Sequence, residues 1–282
     1  MSSTHKIIDR LRDIFNAHGW SLSKKTYGAK FDRFCDLILK LNEQEQDVIL
    51  TLAEDFVFLP FEKYPSLVED CFNKIDTQKY SHHQKIFVVS LKAPSDTKKS
   101  KSGDSLLYSF AHQYAPVFFE MDPDKVILLP KINSLTDKRR SRKPALFLFA
   151  DDFVGTGDTG FAAIDNFNRN IRVDGDSCIL LSLVSMESGF NRLSSLVDEF
   201  VTSIIAKKGI KDSEKITDKA NAYTVMKSIE DKLHDVVDYR YGFMQSESLV
   251  SLIRTPDNTF PVFWRGKDSS GDVWPAPFLR TE

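Results

Sequence analysis

FLFADDFVGTGDTG, residues 147–160, is the stretch on which the reading of this chain turns. An apolar run that begins at Ala145 and ends at Ala150 meets two adjacent aspartates, Asp151 and Asp152. Neighbouring carboxylates repel each other and contribute nothing to a core. Loop chemistry follows in Gly155, Thr156, Gly157, Asp158 and Thr159, and a helical pattern starts near Gly160. The N–H groups of a glycine-rich turn that opens a helix point outward and favour an anion, typically phosphate. Glycine lets the main chain come close without a Cβ in the way, and the hydroxyls of Thr156 and Thr159 add hydrogen-bonding capacity. Carboxylates just upstream would repel a phosphate, so they require a different partner. A vicinal diol serves, because its hydroxyls donate to carboxylates, and so does a hydrated Mg²⁺. A ribose carrying a 5′-phosphate satisfies both halves of the stretch.

The flanking sequence supplies a scaffold for such a site. Continuous apolar runs at residues 86–91, 126–129, 145–150 and 178–184 have the texture of strands covered on both faces. Helical spacing separates them. Phe161, Ile164, Phe167 and Ile171 mark one helix, and Phe190, Leu193, Val197, Val201 and Ile204 form a longer stripe ending near Gly209. Strand alternating with helix predicts an α/β fold, a mostly parallel sheet with helices on both faces. Ligands of such sheets sit at the carboxyl ends of strands, where the aspartate pair falls. Residues 1–80 differ in texture. Ile7, Ile8, Leu11, Ile14 and Phe15, then Phe31, Phe34, Leu37, Ile38 and Leu41, recur at helical spacing, with further helices predicted near 43–56 and 65–75. The expected division is therefore an N-terminal helical region, 1–80, and an α/β domain, 81–282. The helical region reads as a packing extension or as a docking surface for a partner.

Composition narrows the classes. The 282 residues are 41% hydrophobic and 28% charged with a net charge of −2, ordinary for a globular protein and neutral on nucleic-acid binding at the level of the whole chain. Cys35, Cys71 and Cys178 are odd in number and sit in apolar surroundings, which predicts reduced core thiols and a cytoplasmic location. No apolar run approaches the roughly 20 residues of a membrane span, so no membrane partner is expected. The N-terminus carries charges inside its apolar pattern, unlike a secretory leader.

The central motif is not a Walker loop, since no lysine follows the glycine where one is needed, and it lacks the three-glycine dinucleotide fingerprint. It closely resembles the phosphoribosyl pyrophosphate (PRPP) motif of type I phosphoribosyltransferases: an apolar strand, two acidic residues, three variable residues, then Thr-Gly-x-Thr. The resemblance implies a type I phosphoribosyltransferase-like fold and a PRPP or nucleotide ligand. It gives Asp151 and Asp152 the catalytic diol and Mg²⁺ positions, the ion being reached through the ligand or water. It makes 155–159 the phosphate loop. A pyrophosphate loop after the first core strand is implied as well, with Lys101, Ser102 and Gly103 as candidates, the alternative being a solvated loop capped by Ser102 before a helix. Lys131, just past the run at 126–129, lies at a strand's carboxyl end and is a further candidate for the diphosphate. A mobile basic loop before the motif strand corresponds to NSLTDKRRSRKP, with Lys138, Arg139, Arg140, Arg142 and Lys143. There, cations would stabilise the departing pyrophosphate. A solvated loop, or a nucleic-acid contact through the phosphate backbone, also stays open for this stretch.

The tail contributes Thr255-Pro256-Asp257-Asn258-Thr259-Phe260-Pro261 and Phe263-Trp264. It resembles the phosphoribosyltransferase-like proteins of prokaryotic conflict systems, including those beside retron reverse transcriptases. That likeness implies an antiviral effector and a reverse transcriptase–RNA partner for the N-terminal helices. Nothing matches the base-binding hood of the salvage enzymes, so the acceptor is open. The alternative to an enzyme is a non-catalytic sensor of a phosphoribosyl ligand or a ribonucleoprotein-binding module. The tail itself reads as a strand, a turn near Pro256 and a short second strand with Trp264 in the core. His82 and His83 lack a second ligand pair at zinc spacing. His112 and Glu187 are minor candidates for facing the site.

Overall fold

The structure is a computed structural model and describes residues 3–94, 103–129 and 143–280. These residues form two compact units, one of residues 1–58 with 207–282 and one of 59–206. The expected boundary at residue 80 runs through the second unit instead, because the helix after residue 63 packs on the sheet and not with its sequence neighbours.

The second unit is an α/β layer structure. Five parallel strands, β2 (Ile86–Ser90), β3 (Val126–Leu129), β4 (Leu146–Val154), β5 (Ser177–Met186) and β6 (Glu199–Ala206), lie in the order β3-β2-β4-β5-β6. All five residues of β2 are buried, as are the first five of β4 and the last nine of β5. That accounts for runs without alternation: a parallel sheet covered on both faces gains from an apolar side chain at every position. Helices α4 (Tyr64–Asn73), α5 (Gly103–Ser109) and α6 (Ala115–Phe118) cover one face. Phe72 of α4 meets Phe110, Tyr114 and Phe118 there. Helices α7 (Asp158–Asn170) and α8 (Glu187–Ser194) cover the other, where Ile164, Phe167 and Leu193 join Phe87, Phe147, Phe149 and Leu180 in one cluster.

The chain leaves β2 for the edge strand β3 and then returns to the opposite side of β2 as β4. Successive connections therefore diverge between β2 and β4, the topological switch point at which open parallel sheets leave a crevice.

One expected helix is a strand. The stripe from Phe190 to Ile204 divides into α8 and β6, separated by residues 195–198. Its spacing of three and four is coincidental across that turn. Val201, Thr202, Ile204 and Ile205 are β-branched, and pairing with the free edge of β5, Ile179 to Glu199 through Met186 to Ala206, decides their conformation.

The first unit joins α1 (Ser3–Ala17), α2 (Lys25–Leu39) and α3 (Glu43–Ala53) to α9 (Lys219–Glu230) and the tail. Phe15, Phe34 and Phe56 pack with Phe263 and Phe278, the last stacked on Phe56 at 4.3 Å. A two-residue parallel pair, β1 (Val57–Phe58) with β7 (Val250–Ser251), closes it. The expected second tail strand is a 3-10 turn, Pro261–Phe263, since Pro261 opens it and supplies no ladder donor. Trp264 is buried as expected and donates from Nε1 to the Thr259 carbonyl at 2.7 Å. Cys71 and Cys178 are buried free thiols. Burial pushes Cys71 up to about 12 and Cys178 upward too, which keeps both protonated. Among the described residues no helix is long and apolar enough to cross a membrane.

Glu230 is fully buried in this unit, and both its oxygens accept from the Tyr241 N–H at 3.1 Å. Desolvation raises its pKa to about 8. A carboxyl raised in the folded state stabilises fully below its unfolded value and loses that contribution as pH rises through the folded value. Trp20, Trp264 and Trp274 all belong to this unit, so tryptophan fluorescence reports its unfolding. The fluorescence-detected Tm should fall between about pH 5 and about pH 8. Glu230→Gln should flatten that slope, and an unchanged slope would exclude Glu230 as its source.

Candidate active site at the carboxyl end of β4

The strand that carries the aspartate pair is longer than its apolar run. Pairing with β5 continues through Asp151 to Ser182, Phe153 to Val184 and Val154 to Ser185. Asp151 and Asp152 therefore lie within β4 and not beyond its end, and α7 begins at Asp158, two residues before the expected Gly160. Successive strand residues face opposite sides of the sheet. The repulsion between neighbouring carboxylates is relieved by that geometry. Asp152 is 4% exposed, and its Oδ2 accepts from the Tyr64 hydroxyl of α4 at 3.1 Å. Asp151 is half-buried, and its Oδ1 accepts from the Asp152 N–H at 2.9 Å.

Between β4 and α7 the chain turns through Gly157, which has φ of +84° and caps the helix. Phe161 N–H makes the first helical bond, to the Gly157 carbonyl at 2.7 Å. The N–H groups of Thr156, Gly157, Asp158, Thr159 and Gly160 donate to no acceptor among the described residues. Amides without a protein acceptor at a helix start, with the positive end of the helix dipole behind them, favour an anion. Thr159 is half-buried at the second position of the helix. The Thr156 hydroxyl donates to Asp158 Oδ2 at 2.7 Å.

The turn is shaped by α8. A Cβ on Gly189 would lie 2.2 Å from the Gly155 carbonyl oxygen and 2.9 Å from Val154 Cγ1, so only glycine lets this helix approach. From the next helical turn Arg192 Nη1 donates to Asp158 Oδ1 at 2.5 Å and to the Thr156 carbonyl at 3.3 Å. The Thr156 hydroxyl, and then Arg192, hold the Asp158 carboxyl below the usual carboxylate range.

Across the switch point, the Leu91 N–H donates to the Ala150 carbonyl at 3.0 Å, which sets the buried Lys92 beside the start of the acidic pair. Sequence reading passed over Tyr64, Lys92, Gly189 and Arg192. Lys92 was signalled by its place directly after an apolar strand. The other three had no local signal, since each acts across the tertiary structure.

Of the remaining candidates, Gly103 opens α5. Lys101, Ser102, Lys131, Lys138, Arg139, Arg140 and Arg142 lie outside the described residues, and Lys143 is exposed. Glu187 is the first residue of α8, at the carboxyl end of β5, and is exposed. His112 lies in the π-helical segment Phe110–Tyr114 and is exposed. His83 is buried at the amino end of the sheet against the Ser177 hydroxyl at 2.8 Å, away from the site. No group of three or more metal-ligating side chains occurs among the described residues. The two carboxylates of β4 face opposite sides of the sheet, and Asp151 is the less buried of them. A single carboxylate suits Mg²⁺, which keeps several waters and is commonly held by one or two carboxylates and the ligand's own phosphates.

The fold is that of a phosphoribosyltransferase-like protein. The sequence profile of the PRTase-CE family matches residues 40–280, and the chain belongs to that family. Among solved structures, orotate phosphoribosyltransferase from Aeropyrum pernix is similar over 51% of this chain and 71% of that one, with 14% identity and a TM-score of 0.30. No curated protein matches the sequence.

Two substitutions test the construction of the site. Alanine in place of a helical glycine ordinarily stabilises by about 0.5–1 kcal/mol. At position 189 the clash outweighs that gain, and Gly189→Ala should lower stability by about 1–3 kcal/mol. Thermal melting of the two proteins decides this, and an unchanged or raised Tm would contradict the close approach. Tyr64→Phe strips a donor from a buried carboxylate and should cost about 1–3 kcal/mol in denaturant titration.

Proposed function

We propose that the site binds a 5′-phosphoribosyl group, as PRPP or a nucleotide, together with Mg²⁺, and that the protein catalyses phosphoribosyl transfer. The observation that carries the reading is the set of five unpaired amides at residues 156–160, a few residues after two carboxylates on one strand. The amides and the Thr159 hydroxyl hold the terminal phosphate. Asp151, at the rim, accepts from the ribose hydroxyls. Asp152, on the opposite face and held by Tyr64, fixes that end of the strand. A bound Mg²⁺ supplies charge neutralisation for the diphosphate. The chain's contribution is orientation and electrostatics, since an acceptor attacks C1 of the ribose as pyrophosphate departs through an oxocarbenium-like state. Lys92 follows β2, the strand beside β4, and is a candidate cation for the leaving group's charge.

A second reading, a receptor that binds the same ligand without turnover, is favoured by how much of the site is already engaged. The Thr156 hydroxyl is committed to Asp158, and Asp152 is nearly sealed from solvent. The effector role in prokaryotic antiviral defence and the reverse transcriptase–RNA partner belong to the proposal through the sequence resemblance alone.

Calorimetry with PRPP and Mg²⁺, paired with an assay for released pyrophosphate, tests the reading. Asp151→Asn is the cleaner variant, because Asp151 is at the rim whereas Asp152 also supports a buried hydrogen bond. It should weaken PRPP binding by about tenfold or more, the scale of a lost charge-assisted pair. Wild-type binding with pyrophosphate release selects the enzyme, and binding without release selects the receptor. No binding to either protein would refute both.

A further inference from the structure

We infer that Arg192 is a positioning residue of the phosphate turn: by cancelling the charge of Asp158 it keeps the turn receptive to an anion. The inference rests on the phosphate-binding reading and adds to it a residue that no motif supplies. Asp158 poses the difficulty. It is the first residue of α7, its side chain is 42% exposed, and it lies among the five unpaired amides. An ionised carboxylate there opposes the dianion that the amides attract.

Both Asp158 oxygens are occupied by donors that turn it away from that task. The Thr156 hydroxyl holds Oδ2 at 2.7 Å and Arg192 Nη1 holds Oδ1 at 2.5 Å. The same Nη1 donates to the Thr156 carbonyl at 3.3 Å, so one guanidinium neutralises the acid and also fixes the backbone of the turn. Its position is set twice more. The guanidinium lies over the Phe161 ring, 5.1 Å from the centroid, and Gly189 and Leu193 of its own helix pack on the turn. Arginine suits the place because its planar fork can stack on a ring while donating in the plane.

The experiment is ribose 5-phosphate binding by calorimetry in wild type, Arg192→Gln, Arg192→Lys, Asp158→Asn and the Arg192→Gln/Asp158→Asn double variant. Arg192→Gln should bind about tenfold more weakly, the order expected when one carboxylate faces a dianion in a high-dielectric setting. Arg192→Lys, which keeps the charge, should fall between it and wild type. The double variant should return to within about threefold of wild type, because removal of the acid makes its neutraliser unnecessary. A purely structural arginine would not be rescued in this way. Asp158→Asn alone should bind more tightly than wild type, because it leaves the Arg192 charge uncompensated beside the phosphate, and this keeps the test decisive if Arg192→Gln folds poorly. Equal binding by wild type and Arg192→Gln, a double variant as weak as Arg192→Gln, or an Asp158→Asn that gains no affinity would each overturn the role of Arg192 while leaving the phosphate site standing. Wild type that binds no ribose 5-phosphate overturns the phosphate site and this role with it.

Discussion

Everything at the site depends on β4 staying paired to β5 beyond its apolar run. The ladder continues to Val154 and Ser185, and with it the alternation of side chains about the sheet. Two carboxylates that would repel each other in a loop are thereby sent to opposite faces. One is buried on a tyrosine hydroxyl and the other is left at the rim. A strand that ended at Ala150 would leave both acids on flexible backbone, and the turn that follows would lose its fixed starting point.

The opposite end of the turn is held just as firmly. Parallel topology requires a helix after each strand, and α8, the helix after β5, lies against the turn that follows β4. Gly189 permits contact with the Gly155 carbonyl, and Arg192 bridges to Asp158 and Thr156. Preorganisation of this kind matters for an anion site, because unpaired amides held in place need no rearrangement when charge arrives. Gly157, in the left-handed conformation, turns the chain into α7, and the amides of residues 156–160 donate to no acceptor among the described residues.

Membership in the PRTase-CE family rests on a match across residues 40–280, a span that contains the turn as well as helical and tail segments. The proposed phosphate contact rests on the backbone donors of the turn. Family membership leaves its function open, because function lives in the site and not in the fold.

Much of this could be read from the amino-acid order alone. Residues 86–91, 126–129, 145–150 and 178–184 are apolar at every position, and such runs bounded by turns have few outcomes other than buried strands. Local chemistry likewise specified the turn, since glycine and threonine between a strand and a helix leave amides exposed. What lay beyond local reading was set by partners distant in sequence. Pairing with β5 converted Val201–Ile204 spacing from a helical stripe into β6, and it carried β4 through the acidic pair. Packing joined residues 1–58 to 207–282 and made α4 part of the sheet layer. Tyr64, Gly189 and Arg192 became part of the site only because the fold brings two helices, α4 and α8, whose residues lie 88 and 34–36 positions away in the chain, against the same strand end. Periodicity records which face of an element is buried. It holds no information about which other element buries that face, and here that choice determined every side chain around the turn.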